Sequence, residues 1–320
     1  MANIRAIKDR IKSISNTQKI TKAMKMVAAA KVRRAESAVK ESRPFTFELL
    51  KIFTTAYDKI CNCNYAKIKC IEAVDNYPAL LKTREIKTVG IVVVSSNKGL
   101  AGAYSGNIVR FCIKRIKEAA KKGQKVKLYL VGTKSQAPLK NAKRNLDFEV
   151  EKIYPGLMND ICHTSALLLA NDLASDYENE KIDSIELITT RYQNMMTYKV
   201  EDWTLLPAMS PENCPKEFHR DSKTLENENT DNQAHAIMEF EPSVEDVLKI
   251  IVPMYMTNVI YQALLEANAS ELASRMTAMS AATNNAQNMI EQLTIEYNKK
   301  RQEKITNELI EIVSGADALK

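Results

Sequence analysis

The sequence predicts two architectures in one chain: a long antiparallel coiled coil of the N- and C-terminal helices, and between them an α/β domain with a mostly parallel sheet. Three observations predict it. Apolar or small residues recur every seven positions in the last quarter of the chain. A second seam of the same kind opens the chain. Between residues 85 and 207, apolar β-branched runs alternate with helical stretches. The 320 residues hold only 8 Gly, and aromatics make up 6 %. That balance favours long helices over a loop-rich fold.

The N-terminal coiled-coil helix is placed at residues 1–57, its seam starting at Ile4 and running through Ile7, Ile11 and Ile14. It continues through polar Gln18 and Thr21, breaks at Lys25, and resumes with Ala28, Val32, Ala35 and Val39. Small residues on a seam let a second helix approach closely. Pro44 is the one punctuation mark and is expected to kink the helix or start a new one. A connector follows at 58–84. Its Cys61, Cys63 and Cys70 have neither the spacing nor the fourth ligand of a zinc site and read as incidental thiols.

The α/β domain is placed at 85–207. Thr88 to Ser95 is a continuous apolar run, as in a strand buried on both faces. Tyr104 to Lys122 reads as helix, Val126 to Val131 as strand, Lys134 to Ala142 as a short helix and Asp160 to Ala174 as a longer one. Ile185 to Thr190 and Met196 to Val200 read as further strands. Strand and helix alternating in this way build βαβ units, so a Rossmann-like arrangement is expected. The turn after the first strand, Ser95 to Gly106, carries Gly99, Gly102 and Gly106. Glycines there could cradle a phosphate, but the spacing is neither Gly-x-Gly-x-x-Gly nor followed by Gly-Lys-Ser/Thr. A tight packing turn is the favoured reading. His163, His219 and His235 are the only histidines, and no Ser-His-Asp or Cys-His set stands out. No catalytic residue, cofactor or metal is therefore expected.

A polar insertion loop, rich in Asn, Asp and Glu, is placed at 208–242. The C-terminal coiled-coil helix is placed at 243–320, with Ser243 as its N-cap. One seam position is held by Leu265, Leu272, Met279, Ala286 and Leu293; the other by Ala269, Met276, Thr283, Ile290 and Tyr297. A helix of seventy-odd residues would be roughly 110 Å long at ~1.5 Å per residue. Such a helix needs a partner, and the other end of the chain supplies it.

The net charge of +7 is unevenly placed. Residues 1–40 hold eleven Lys or Arg against Asp9 and Glu36, which makes that segment +9 and the remainder slightly acidic. A local basic stripe implies an anionic partner surface. The six Cys do not pair regularly, which suits a reducing compartment. No secretory or transit segment is recognisable, and no run of eighteen apolar residues occurs, so no direct membrane insertion is expected.

With both ends read, the chain resembles the gamma subunit of F-type ATP synthase over nearly its whole length. The residues that carry the resemblance are Arg10 to Ala30 in the opening helix, Ala269 to Met279, Tyr297 to Gln302, and the signature Ile305-Thr-Asn-Glu-Leu-Ile-Glu-Ile-Val-Ser-Gly-Ala316. Met-Ala-Asn at the start and Ala-Ala-Ala-Lys-Val-Arg-Arg34 lean towards the cyanobacterial and chloroplast branch. There are departures. The turn reads Asn97-Lys-Gly-Leu-Ala-Gly-Ala103, without the family's Cys. The insertion holds the single Cys214 where chloroplast relatives carry a regulatory pair.

The resemblance implies a central rotary shaft that couples ion-driven rotation of a membrane ring to ATP synthesis or hydrolysis at the beta subunits, with no catalytic site of its own. It implies as partners three alpha and three beta subunits, the epsilon subunit and the rotor ring of c subunits. It also implies a peripheral position on the cytoplasmic face of a bacterial inner membrane, or on a thylakoid. Met24, Arg275, Arg301, Gln302 and Thr306 are the implied contacts with the beta subunit. Residues 302 and 306 share a helix face by their spacing. Two other classes stay open. A basic coiled-coil nucleic-acid binder would need stacking aromatics near its charge, and Phe45 and Phe47 are the only aromatics before Phe53. A nucleotide-binding enzyme would rest on the glycine turn alone.

Overall fold

The computed structural model describes residues 4–62, 80, 84–206 and 244–317, with side chains left aside at 54–62, 244–246 and 315–317. Five helices and five strands are described: α1 (Ile4–Asn62), β1 (Thr88–Val94), α2 (Tyr104–Lys121), β2 (Lys125–Val131), α3 (Gln136–Ala142), β3 (Glu149–Tyr154), α4 (His163–Glu178), β4 (Ser184–Tyr192), β5 (Tyr198–Leu206) and α5 (Val244–Asp317). The sheet order is β3-β2-β1-β4-β5. The β3/β2, β2/β1 and β1/β4 pairs are parallel, and β5 runs antiparallel on β4. Residues 63–79 and 81–83 of the connector, the insertion, Ser243, Cys63, Cys70 and Cys214 lie outside the described residues, as does the Cys61 side chain.

The chain divides into two compact units, residues 32–274 and residues 1–31 with 275–320. In the larger unit, β1 is buried along nearly its whole length because both of its faces are covered. One face packs Val89, Ile91 and Val93 against Ile108, Cys112 and Ile116 of α2. The other packs Val92 and Val94 with Leu169 and Leu173 of α4, Leu50 and Phe53 of α1, and Val252, Ile260 and Ala263 of α5. The terminal helices thus supply part of the cover that a doubly wound sheet needs. Phe53 and Tyr255 stack with ring centroids 5.1 Å apart, and Val32, Ala35 and Val39 pack with Leu265, Ala269 and Leu272.

In the smaller unit, Gln18 donates to Gln287 Oε1 at 2.7 Å, and the Thr21 and Thr283 hydroxyls lie 2.9 Å apart. The numbers rise on one helix as they fall on the other, so the pair is antiparallel. Ile7, Ala28, Met279 and Ala286 are buried here, and Ile290, Leu293 and Tyr297 half-buried. These are the expected seam positions. At the predicted break Lys25 is exposed, and Met24 is half-buried beside it.

The sequence reading needs four corrections. Pro44 does not start a new helix, because α1 is continuous through it. A proline inside a helix removes one backbone bond; here the flanking Arg43 and Thr46 are held by α5, through Glu266 and Asn258. Strand β3 was not expected. It is an edge strand whose residues are mostly exposed, so its pattern is too polar to resemble a buried strand. The last strand starts at Tyr198 and runs on to Leu206. Helix α4 starts later and ends later than the apolar pattern suggested. One stretch of α5 is apolar and long enough to cross a bilayer by composition, but most of it is buried within the protein, as in a core helix.

Candidate partner-contact surface

The five candidate contact residues fall in the smaller unit. The antiparallel register set by Thr21 and Thr283 puts Met24 level with Ser280, about 8 Å along the axis from Arg275 at ~1.5 Å per residue. Both are half-buried. Arg301, Gln302 and Thr306 form a separate group about 39 Å further along α5 by the same rise. The Thr306 hydroxyl donates to the Gln302 carbonyl at 3.0 Å, which fixes its rotamer on the face it shares with Gln302. The structure therefore brings Met24 towards Arg275, and Gln302 to Thr306, but keeps the two groups apart.

What surrounds the second group is informative. From Arg301 to Ser314 every residue of α5 is exposed, including Ile305, Leu309, Ile310, Ile312 and Val313. Gln302, Thr306, Leu309 and Val313 follow one another at helical spacing along one face. Bare aliphatic surface of this extent marks an interaction site. Charge is concentrated on the other terminal helix. All eleven Lys and Arg of the first forty residues are exposed, from Arg5 to Lys40.

The glycine turn lies in the larger unit and is tied into the core. The fully buried Tyr104 accepts from the Thr190 hydroxyl and donates to Ala267 O of α5, both at 3.0 Å. Burial pushes this phenol far above its ordinary range, the Thr190 bond opposing only in part. Ser274 of α5 donates to Ala101 O at 2.8 Å. The Ser96 and Ser105 hydroxyls lie 2.8 Å apart across the turn. These bonds make the turn a docking point for α5. Among the described residues, no group of His, Cys, Asp or Glu is placed to hold a metal ion.

A polar junction went unread in the sequence. Glu266, fully buried, accepts from Arg43 Nε at 3.1 Å, from Gln262 at 3.0 Å and from the Tyr192 backbone N–H at 3.0 Å. Arg43 Nη2 also donates to Tyr192 O at 3.1 Å. One carboxylate thus joins α1, α5 and the end of β4. The available signal was the pair Gln262 and Glu266, i and i+4, inside an otherwise apolar stretch.

The protein-family model for ATP synthase matches residues 3–319. The chain belongs to the ATP synthase gamma family. The ATP synthase gamma chain of a Picosynechococcus strain is 38 % identical over 332 residues, with all of both chains covered. That of Nostoc punctiforme is 38 % identical over 330 residues, again with all of both chains covered. Among solved structures, a chain of the Euglena gracilis mitochondrial ATP synthase shares the fold at a TM-score of 0.62 and 16 % identity, covering 99 % of this chain and 94 % of that one. A chain of the Tetrahymena thermophila mitochondrial central stalk and c-ring does so at 0.53 and 24 % identity, covering 82 % and 99 %.

Proposed function

We infer that this gamma chain is the central rotary shaft of an F-type ATP synthase. The full-length match to ATP synthase gamma chains carries this reading, and the bare end of α5 supports it. A helix exposing Ile305, Leu309, Ile312 and Val313 suits enclosure by other subunits. In this reading the paired terminal helices stand inside a ring of three alpha and three beta subunits. The sheet-bearing region, residues 85–207, is the foot on the rotor ring of c subunits, with epsilon beside it. Turning the asymmetric shaft forces each beta subunit in turn through binding, synthesis and release of ATP. The chain supplies no catalytic group; the chemistry belongs to beta.

Met24 and Arg275 form one contact with beta, and Arg301, Gln302 and Thr306 a second. Their separation along α5 means that a beta subunit is touched at two heights. The exposed basic face of α1 faces acidic loops at the base of the ring. The complex is membrane-associated, and the shaft sits on its cytoplasmic face.

The test is a pull-down of the tagged chain from its native membrane in mild detergent, with ATPase assayed in the eluate. Co-elution of one chain with three alpha and three beta subunits, with activity, is the expected result. Recovery of the chain alone, or with nucleic acid, would overturn the shaft reading.

A further inference from the structure

We propose that the Arg43–Glu266–Tyr192 junction is the torque-bearing joint between the two terminal helices and the sheet, with Arg43 and Glu266 as positioning residues. The proposal rests on the shaft reading, since it concerns how a rotating foot passes load to the helices.

Apolar packing holds elements together, but it is non-directional and opposes sliding weakly. A torque about the helix axis is a sliding load. Hydrogen bonds weaken steeply with misalignment, so they oppose sliding. The bonds from the sheet domain reach α5 at helical spacing. Thr189 of β4 donates to Ala263 O at 3.1 Å, the Tyr192 N–H to Glu266 at 3.0 Å, and Tyr104 to Ala267 O at 3.0 Å. Two turns on, Ser274 donates to Ala101 O at 2.8 Å. Positions 263, 266, 267 and 274 lie on one face, so α5 is keyed to the sheet along a stripe.

Helix α1 joins this key through Arg43. Its guanidinium reaches Glu266 on α5 with Nε and the Tyr192 carbonyl on β4 with Nη2. Tyr192 offers both its N–H and its C=O to the same pair. Turning α1 against α5, or either against β4, breaks a charge-assisted bond, the strong class of hydrogen bond. Glu266 has all of its described partners in place, with Gln262 holding the second position on Oε1. A carboxylate so fixed is a rigid pivot.

A pair of this kind could instead serve folding alone, and the test separates the two roles. Removing one partner would strand a buried charge, whereas replacing both with aliphatic groups of similar volume often leaves stability intact. The variant is therefore Arg43→Met with Glu266→Leu, assembled with alpha and beta subunits. Three quantities are read: thermal stability of the complex, ATPase without load, and torque on a probe attached to the foot. Unloaded ATPase is expected near wild type and thermal stability somewhat lower, because the Tyr192 N–H and Gln262 lose their acceptor, while torque falls about twofold or more as the directional bonds are lost. Full torque in the assembled double variant would overturn the proposal and leave the junction a folding device. If the double variant does not assemble, Arg43→Lys decides. It keeps the charge but loses the fork, so torque should fall with ATPase retained, and normal torque again overturns the joint. Failure of the wild-type chain to assemble would count against the shaft reading instead.

Discussion

Replacing Gly132 by Ala should unlock the turn on which α5 docks. Gly132 follows β2 with φ +92°, and a Cβ there would meet Ser95 O at 2.3 Å, Ser95 C at 2.8 Å and Ser95 Oγ at 2.9 Å. The first two are backbone atoms at the end of β1 and cannot swing aside. Ser95 is itself held: its N–H donates to Val131 O at 2.8 Å, and its hydroxyl lies 2.9 Å from that of Ser135. Relieving the clash must break these bonds, each worth about 1 kcal/mol. The left-handed backbone adds about 1–2 kcal/mol for an L side chain. The total is roughly 3–4 kcal/mol, towards the severe end for single substitutions. Gly123→Ala is the control. Its φ is +70°, but a Cβ there meets nothing within 4 Å, so it should cost about 1 kcal/mol from strain alone. Urea unfolding of the two variants and wild type reads the difference. Equal midpoints for Gly123→Ala and Gly132→Ala would refute the reasoning, because the contact with Ser95 would then carry no energy.

Other outcomes follow from the same structure. Arg301→Ala with Gln302→Ala should lower coupled ATPase turnover of the assembled enzyme without unfolding the chain, since both side chains are exposed; unchanged turnover with normal assembly would remove the second beta contact. Asp176 sits below the usual carboxylate range: burial raises it, but bonds from Lys181 and Tyr129 outweigh that. Its stabilisation is therefore present above about pH 4, the unfolded value, and is lost as pH falls through the lower folded value. Asp176→Asn should cost about 1–2 kcal/mol near neutral pH, with the gap to wild type closing in acid; a gap independent of pH would contradict this. In a chain with Cys61, Cys63, Cys70 and Cys214 replaced by Ser, a soluble alkylating reagent should modify Cys162 first. Hydrogen bonding with Ser165 lowers that thiol, while burial pushes Cys112 up to about 12. Labelling of Cys112 before unfolding would show that α2 opens readily.

The terminal helices were legible because their pattern is long and local. A seven-residue repeat marks the buried face of a helix whichever element covers it, and the half-buried and buried positions fall on the expected seam from Ile4 to Val39 and from Leu265 to Tyr297. Strands β1, β2 and β4 were legible because both of their faces are largely covered, which demands mostly apolar runs, interrupted by residues such as Lys127 and Glu186. The edge strand β3 was not, since Lys127 of β2 pairs with its Glu151 in the open and its own side chains need not be apolar. The candidate contact residues rest on the family resemblance; their spacing alone would have matched any solvated helix face.

By itself, then, the sequence determined that two long helices must pair and that a mostly parallel sheet lies between them, because hydrophobic periodicity is a local record of burial. It did not determine which strands are neighbours, since strand order depends on crossovers that leave no local trace. Nor could it show that Arg43, Glu266 and Tyr192 meet, residues 223 and 74 positions apart along the pairs they form. A buried carboxylate has the same one-letter record as an exposed one. Only the folded chain, by bringing a guanidinium and a backbone amide to within 3.1 Å of Glu266, decides that this charge is held as a pivot rather than solvated.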